Sequence, residues 1–103
     1  MSEIDIESEF DKVKTKPKCL VLFYASWCPF SQRFLPIFED YAKKNPQSCL
    51  RVKIDDKPEV CEKYSVEYYP TVIVFEQGKI TKRLDAAPGA GLNKKQFTEL
   101  TKN

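Results

Sequence analysis

The sequence predicts an α/β fold, with a central mixed β-sheet flanked by helices in the order βαβαβαββα. Three observations carry that expectation. The segment CLVLFYA (19–25) is a continuous apolar run of strand formers, the pattern of a strand buried on both faces. Apolar residues then recur at helical spacing, at Phe30, Phe34, Ile37, Phe38 and Tyr41. Further on, TVIVFEQGKITKRL (71–84) reads as two strands meeting at Gln77-Gly78, a hairpin. Helices between the first strands and a hairpin after them make a sheet of mixed direction, sandwiched by helices.

Taken in order, EIDI (3–6) alternates apolar and charged residues, as a short edge strand would. Ser8 can cap a first helix, with Asp11 three positions on and Phe10 and Val13 facing inward, until Pro17 stops it. The buried strand 19–25 follows, then a helix over residues 29 to 44, in whose middle Pro36 predicts a kink. CLRVKID (49–55) alternates into another strand. A short helix comes next, with Asp56 as cap, Pro58 in its first turn, and Val60, Cys61 and Tyr64 inward. The hairpin strands are followed by a loop, DAAPGAGLN (85–93), and a last helix begins near Asn93.

At 103 residues the chain has the length of a single domain, residues 1–103, able to bury one core without disulfide staples. Its 42% hydrophobic and 31% charged residues are ordinary for a soluble globular protein. A formal charge of +2 is too small to argue for nucleic acid or a membrane surface as partner. No run of ~18 apolar residues exists to span a bilayer. The acidic start MSEIDIESEF lacks the basic end and apolar centre of a signal peptide, so a cytoplasmic chain is expected. A lumenal domain excised from a longer precursor would read the same way.

Chemistry centres on YASWCPFSQRF (24–34). Cys28 directly follows the buried strand and precedes a helix opening with Pro29, which places Cys28 at the N-cap and Pro29 at N1, where a missing N–H costs nothing. A thiolate there faces unpaired backbone N–H groups and the positive end of the helix dipole, which favour the charged form and make Cys28 a nucleophile. Ser31 falls at N3, near enough for its hydroxyl to donate to the sulfur. The chain has no histidine, so Cys-His pairs and His-bearing zinc sites are excluded. Its other cysteines, Cys19, Cys49 and Cys61, form no Cys-x-x-Cys pair, and no metal site is expected. Cys61 reads as core. Cys19 and Cys49 begin neighbouring strands at the end away from Cys28, as two buried thiols or, less simply, as a disulfide.

With these residues in view, the sequence resembles the thioredoxin superfamily over nearly its whole length. FYASWCPF (23–30) resembles the family's active-site turn, and Pro36 matches its kink proline. YYPTVIVFEQGK (68–79) is similar to the segment bearing the family's cis-proline, here Pro70, while PEVCEKYSVEYYPT (58–71) is closer to disulfide isomerase domains. The segment from Gly89 to Leu92 lies where the family has a glycine before its last helix. The resemblance implies a thioredoxin fold and a binding groove. There, the backbone of Tyr69 pairs with an extended substrate peptide and sets its sulfur over Cys28. Trp27 and Phe30, with Pro29 beside them, supply the apolar walls.

Two departures bear on mechanism. Ser31 occupies the position of the family's resolving cysteine, whose thiol breaks the mixed disulfide formed by the first; a hydroxyl cannot do so. Leu22 stands where the resemblance implies a buried Asp or Glu serving that second thiol. With no second thiol, a buried carboxylate would only cost desolvation energy. The expected activity is thiol–disulfide exchange, of oxidoreductase or isomerase type, through one thiol. Its expected partners are protein disulfides or thiols, with glutathione, another external thiol or a reductase completing the reaction and no cofactor resident.

Other readings stay open. Ser31-Gln32 and PIFED (36–40) are similar to a retention chaperone of the disulfide isomerase family, which implies capture of client thiols. Cys-Pro-Phe-Ser also resembles single-thiol glutaredoxins, implying deglutathionylation or an iron–sulfur carrier, although no Gly-Gly-x-Asp segment follows. The peptide groove could serve without redox chemistry. Lastly, the chain could be a Cys→Ser variant of a Cys-Pro-Phe-Cys parent.

Overall fold

The computed structural model describes residues 17–45, 48–55, 58–87 and 89–102. Their elements are β1 (Cys19–Tyr24), α1 (Pro29–Lys44), β2 (Cys49–Lys53), α2 (Pro58–Lys63), β3 (Thr71–Glu76), β4 (Lys79–Asp85) and α3 (Lys94–Thr101). This reproduces the expected order from the strand at 19 onward. The expected strand at 3–6, the helix capped by Ser8, the Asp56 cap and the side chains of Val60 and Cys61 lie outside the described residues.

The four strands form one mixed sheet in the order β2-β1-β3-β4. β1 runs parallel to β2 and antiparallel to β3, and β3 runs antiparallel to β4. Every residue of β1 is buried, because the strand is central and covered on both faces. Alternation divides its side chains. Cys19, Val21 and Phe23 join Leu50, Val52, Ile73 and Phe75 in one layer, where the Tyr64 ring packs against both Phe23 and Phe75. Leu20, Leu22 and Tyr24 join Cys49, Val72 and Val74 in the other, beneath Phe34, Phe38 and Ala42 of α1 and Phe97 of α3. Phe97 sits edge-on to Phe34 and Tyr41, with ring centroids 5.4 Å apart in both pairs.

That alternation settles the relation of the strand cysteines. Cys19 and Cys49 are both buried but on opposite faces of the sheet, so no disulfide joins them to each other. Leu22 is fully buried under α1, in surroundings that would leave a carboxylate without water.

The local signals explain the ends. β3 and β4 meet at Gln77 (φ 53°) and Gly78 (φ 83°), a two-residue turn with both residues left-handed, as the right-handed twist of a hairpin requires. Phe75 pairs with Ile80 and Val74 with Lys82, leaving Thr81 as a bulge. Asn93 caps α3 by accepting from the Gln96 N–H, and the Gln96 side chain accepts from the Asn93 N–H in return. Lys43 and Lys44 close α1 at its negative end. Pro36 lies inside α1 on its exposed side, within one continuous helix. β2 ends at Lys53, two residues short of the expected 49–55, because Asp55 turns away to bond Ser26.

Candidate active site

β1 and β2 are parallel, so both deliver their C-terminal ends to one edge of the sheet, and the residues just beyond those ends meet there. Beyond β1 the chain turns through Ala25, Ser26 and Trp27 into α1. Cys28 is the N-cap of that helix, with extended backbone (φ −89°, ψ 121°), and Pro29 is its first residue. The Cys28 N–H donates to Ala25 O at 3.2 Å, closing the turn, while the Gln32 N–H donates to Cys28 O at 3.0 Å. The thiol is 8% exposed and lies 3.7 Å from Tyr69 O, toward which it can donate. The Cys28 side chain makes no capping hydrogen bond, and its N-cap position sets it at the positive end of α1.

Tyr69-Pro70 is a cis peptide immediately before β3. Two bonds fix its flanks: the Ala86 N–H donates to Pro70 O at 3.2 Å, and the buried Thr71 hydroxyl donates to Tyr68 O at 2.6 Å. Trp27 is 64% exposed, its ring edge-on to Tyr69 at 6.3 Å between centroids. Between these segments runs a groove of about 250 Å³. It is lined by Trp27, Cys28 and Phe30 at the start of α1, by Glu67, Tyr68 and Tyr69 before β3, and by Ala86, Ala87 and Gly89 after β4. The sequence-predicted residues Trp27, Cys28, Phe30 and Tyr69 are therefore brought together. Pro29 and Pro70 hold backbone positions beside the groove, and Pro36 lies away from it, within the body of α1.

Ser31 departs from expectation. It is 1% exposed, and its Oγ accepts from the Ala25 N–H at 3.2 Å. The expected donation to the Cys28 sulfur is not among the bonds made. The reason is geometric: the N3 side chain points back over the turn, where a buried strand-end N–H needs an acceptor. Ser31 thus completes the backbone hydrogen bonding of the turn.

Sequence reasoning overlooked a clamp on the same turn. The Asp55 carboxylate accepts from the Ser26 hydroxyl at 2.5 Å and from the Ser26 N–H at 3.3 Å. The Gln32 side-chain amide donates to Ser26 O at 2.8 Å. The Ser26 hydroxyl bond, foremost, holds the Asp55 carboxyl below its ordinary range. A signal was present: Ser26 and Asp55 each lie two residues beyond paired parallel strand ends, Tyr24 and Lys53. Phe30 was foreseen as a wall, but not what sets it. Gly91 (φ 70°) lies so close that a Cβ there would meet Phe30 Cβ at 2.8 Å. On a further side, the Arg33 guanidinium stands over the Phe30 ring at 5.1 Å.

The other described cysteines are remote. Cys19 and Cys49 sit at the opposite ends of their strands, roughly 17 Å of strand from the edge where Cys28 lies. Burial pushes the Cys49 thiol up to about 11. Among the described residues, no group of three or more His, Cys, Asp or Glu is placed to hold a metal ion, and no helix is long and apolar enough to cross a membrane. A thiol lining an apolar groove, beside the Tyr69 carbonyl, can meet the sulfur of an extended peptide laid along Tyr69.

Known proteins are similar to this chain in sequence and fold. The family model described as Thioredoxin matches residues 3–99. Thioredoxin of Mycoplasmoides gallisepticum is 34% identical over 105 residues, covering 99% of this chain and 100% of that protein. Endoplasmic reticulum resident protein 44 of Mus musculus is 33% identical over 91 residues, 81% of this chain; the match takes in only 22% of that longer protein. Among solved structures, Plasmodium falciparum thioredoxin superposes with a TM-score of 0.86 at 25% identity, covering 97% of this chain and 95% of the other. Fasciola hepatica thioredoxin gives 0.83 at 27% identity, with the same coverage of both chains. A family match across the sheet and both flanking segments of the groove, joined to the fold itself, has one meaning: this chain belongs to the thioredoxin family of thiol–disulfide oxidoreductases.

Proposed function

We propose that this chain performs thiol–disulfide exchange through Cys28 alone, with an external thiol completing each cycle. The observation that carries the reading is the setting of Cys28: an N-cap thiol lining an apolar groove, with Ser31 as the residue three positions on. In the first step the Cys28 thiolate attacks one sulfur of a client disulfide. The Cys28–client S–S bond forms as the client's own S–S bond breaks, and the departing client thiolate takes a proton from solvent. A buried serine hydroxyl bonded to the Ala25 N–H cannot attack the mixed disulfide, and the described cysteines are out of reach. An external thiolate, glutathione or a reductase's cysteine, must therefore attack it and release either the client or Cys28.

Insulin reduction tests this. Wild-type protein should turn over insulin disulfides with glutathione and stop at one mixed disulfide per molecule without it, while Cys28→Ala does neither. No turnover in either condition removes the enzymatic reading. A second reading, capture of client thiols in a disulfide isomerase-like manner, is supported by the similarity to Endoplasmic reticulum resident protein 44 and by the lack of an internal resolving thiol among the described residues. It requires slow release, and mass spectrometry after alkylation of cells would then recover partners linked through Cys28. Recovery of none above background counts against capture and leaves exchange.

A further inference from the structure

The groove beside Cys28 is nearly all carbon, apart from one charged group. Among the described residues lining it, Glu67 alone carries a charge, and its side chain is exposed. Two other described acids are already engaged. Asp55 accepts from Ser26, and Asp85 pairs with Arg83 at 2.9 Å. Arg33 of α1 lies over the Phe30 ring and does not line the groove. A peptide laid along Tyr69 with its sulfur at Cys28 would pass close to the Glu67 carboxylate within one or two residues on one side, since Glu67 precedes Tyr69 by two positions and lines the same groove.

We propose that Glu67 is a specificity-determining residue that selects thiols and disulfides flanked by lysine or arginine and disfavours anionic ones. This rests on the exchange chemistry proposed above and names its substrate class. A cationic flanking residue gains an ion pair against an apolar surround, and an acidic one meets a like charge; either effect is modest at an exposed position but acts on every encounter. The same field acts on the external thiol. Glutathione carries two carboxylates and one ammonium, so it approaches Glu67 with a net negative charge, whereas a cationic aminothiol does not. Release of a mixed disulfide by glutathione is slowed relative to release by cysteamine.

The experiment uses three short peptides in which one cysteine is flanked by lysine, glutamine or glutamate, each carrying a 2-pyridyl disulfide. Cys28 thiolate attacks the peptide sulfur, the peptide–pyridyl S–S bond breaks, and the released thiopyridone is read by absorbance. An unstructured cysteine peptide supplies the intrinsic rate for each probe. After that correction, lysine should outpace glutamate by about three- to tenfold at low salt, less at high salt. The ratio should approach one in Glu67→Gln and invert in Glu67→Lys, with circular dichroism confirming that both variants fold. An unchanged ratio in both variants overturns the assignment to Glu67. Should the neutral probe react no faster with the protein than with the unstructured peptide, the exchange reading itself fails, whatever the ratio.

Discussion

Replacing Ser31 with alanine isolates what the hydroxyl does for the fold. The residue is 1% exposed, and its Oγ is the acceptor for the Ala25 N–H at 3.2 Å. Ser31→Ala removes that oxygen and leaves a buried N–H at the end of β1 with no acceptor in place. An unsatisfied buried donor costs about 1–3 kcal/mol, more than the average worth of the bond itself, because its desolvation is uncompensated. For a domain near one hundred residues, each 1 kcal/mol lowers Tm by about 4–8 °C, so a fall on the order of 5–20 °C is expected. Urea unfolding should show a lower midpoint at unchanged slope. The first exchange step should survive, since Ser31 makes no bond to the sulfur. Ser31→Cys should also lose stability, by less, while gaining a thiol that shortens the life of the mixed disulfide. A Ser31→Ala midpoint equal to wild type would refute the reasoning, since it would mean the Ala25 N–H is satisfied some other way.

Three further outcomes follow from the packing and the charges. Phe97→Ala removes a ring packed on Phe34, Phe38 and Tyr41 and should cost about 3–5 kcal/mol in urea unfolding; a loss under 1 kcal/mol would mean α3 is not seated there. The Cys49 thiol is raised by burial to about 11, whereas an unfolded cysteine ionises near 8.5. The unfolded chain therefore releases its proton first. Stability is intact below about pH 8.5 and falls as pH rises through about 11, and Cys49→Val should flatten that fall; identical slopes would exclude Cys49 as the cause. Asp55→Ala should slow alkylation of Cys28 by iodoacetamide about three- to tenfold by freeing the Ser26 turn, and Asp55→Asn, which keeps an acceptor, should recover part of it. Equal rates in the two variants would mean that charge, rather than position, matters. Because the Ser26 bond lowers the Asp55 carboxyl, this clamp should persist to lower pH than an unpartnered aspartate would allow and be lost as the carboxyl protonates.

The parts of the fold that rest on local rules were legible. Pro29 at N1 and Gln77-Gly78 each mark an element end by a single steric requirement, the last helix was expected near Asn93, and each element begins or turns there. The central strand was legible because burial on both faces leaves a seven-residue apolar run, from Cys19 to Ala25. At the site, Cys28 and the backbone beside Tyr69 could be placed through the resemblance to a family. What escaped were pairings between distant segments. Ser26 with Asp55 and Gly91 with Phe30 depend on which strand ends and loops become neighbours, and neither has a pattern in its own stretch of chain. The direction of the Ser31 hydroxyl escaped for a related reason. Its partner, the Ala25 N–H, becomes needy only because β1 ends one residue earlier than the apolar run.

The placement of Cys19 and Cys49 on opposite sides of the sheet carries a consequence for life in different compartments. An oxidising environment finds no pair among these strand thiols to staple, and a reducing one finds no staple there to cut. As far as these two thiols go, the sheet neither gains nor loses a covalent link when the redox poise around it changes.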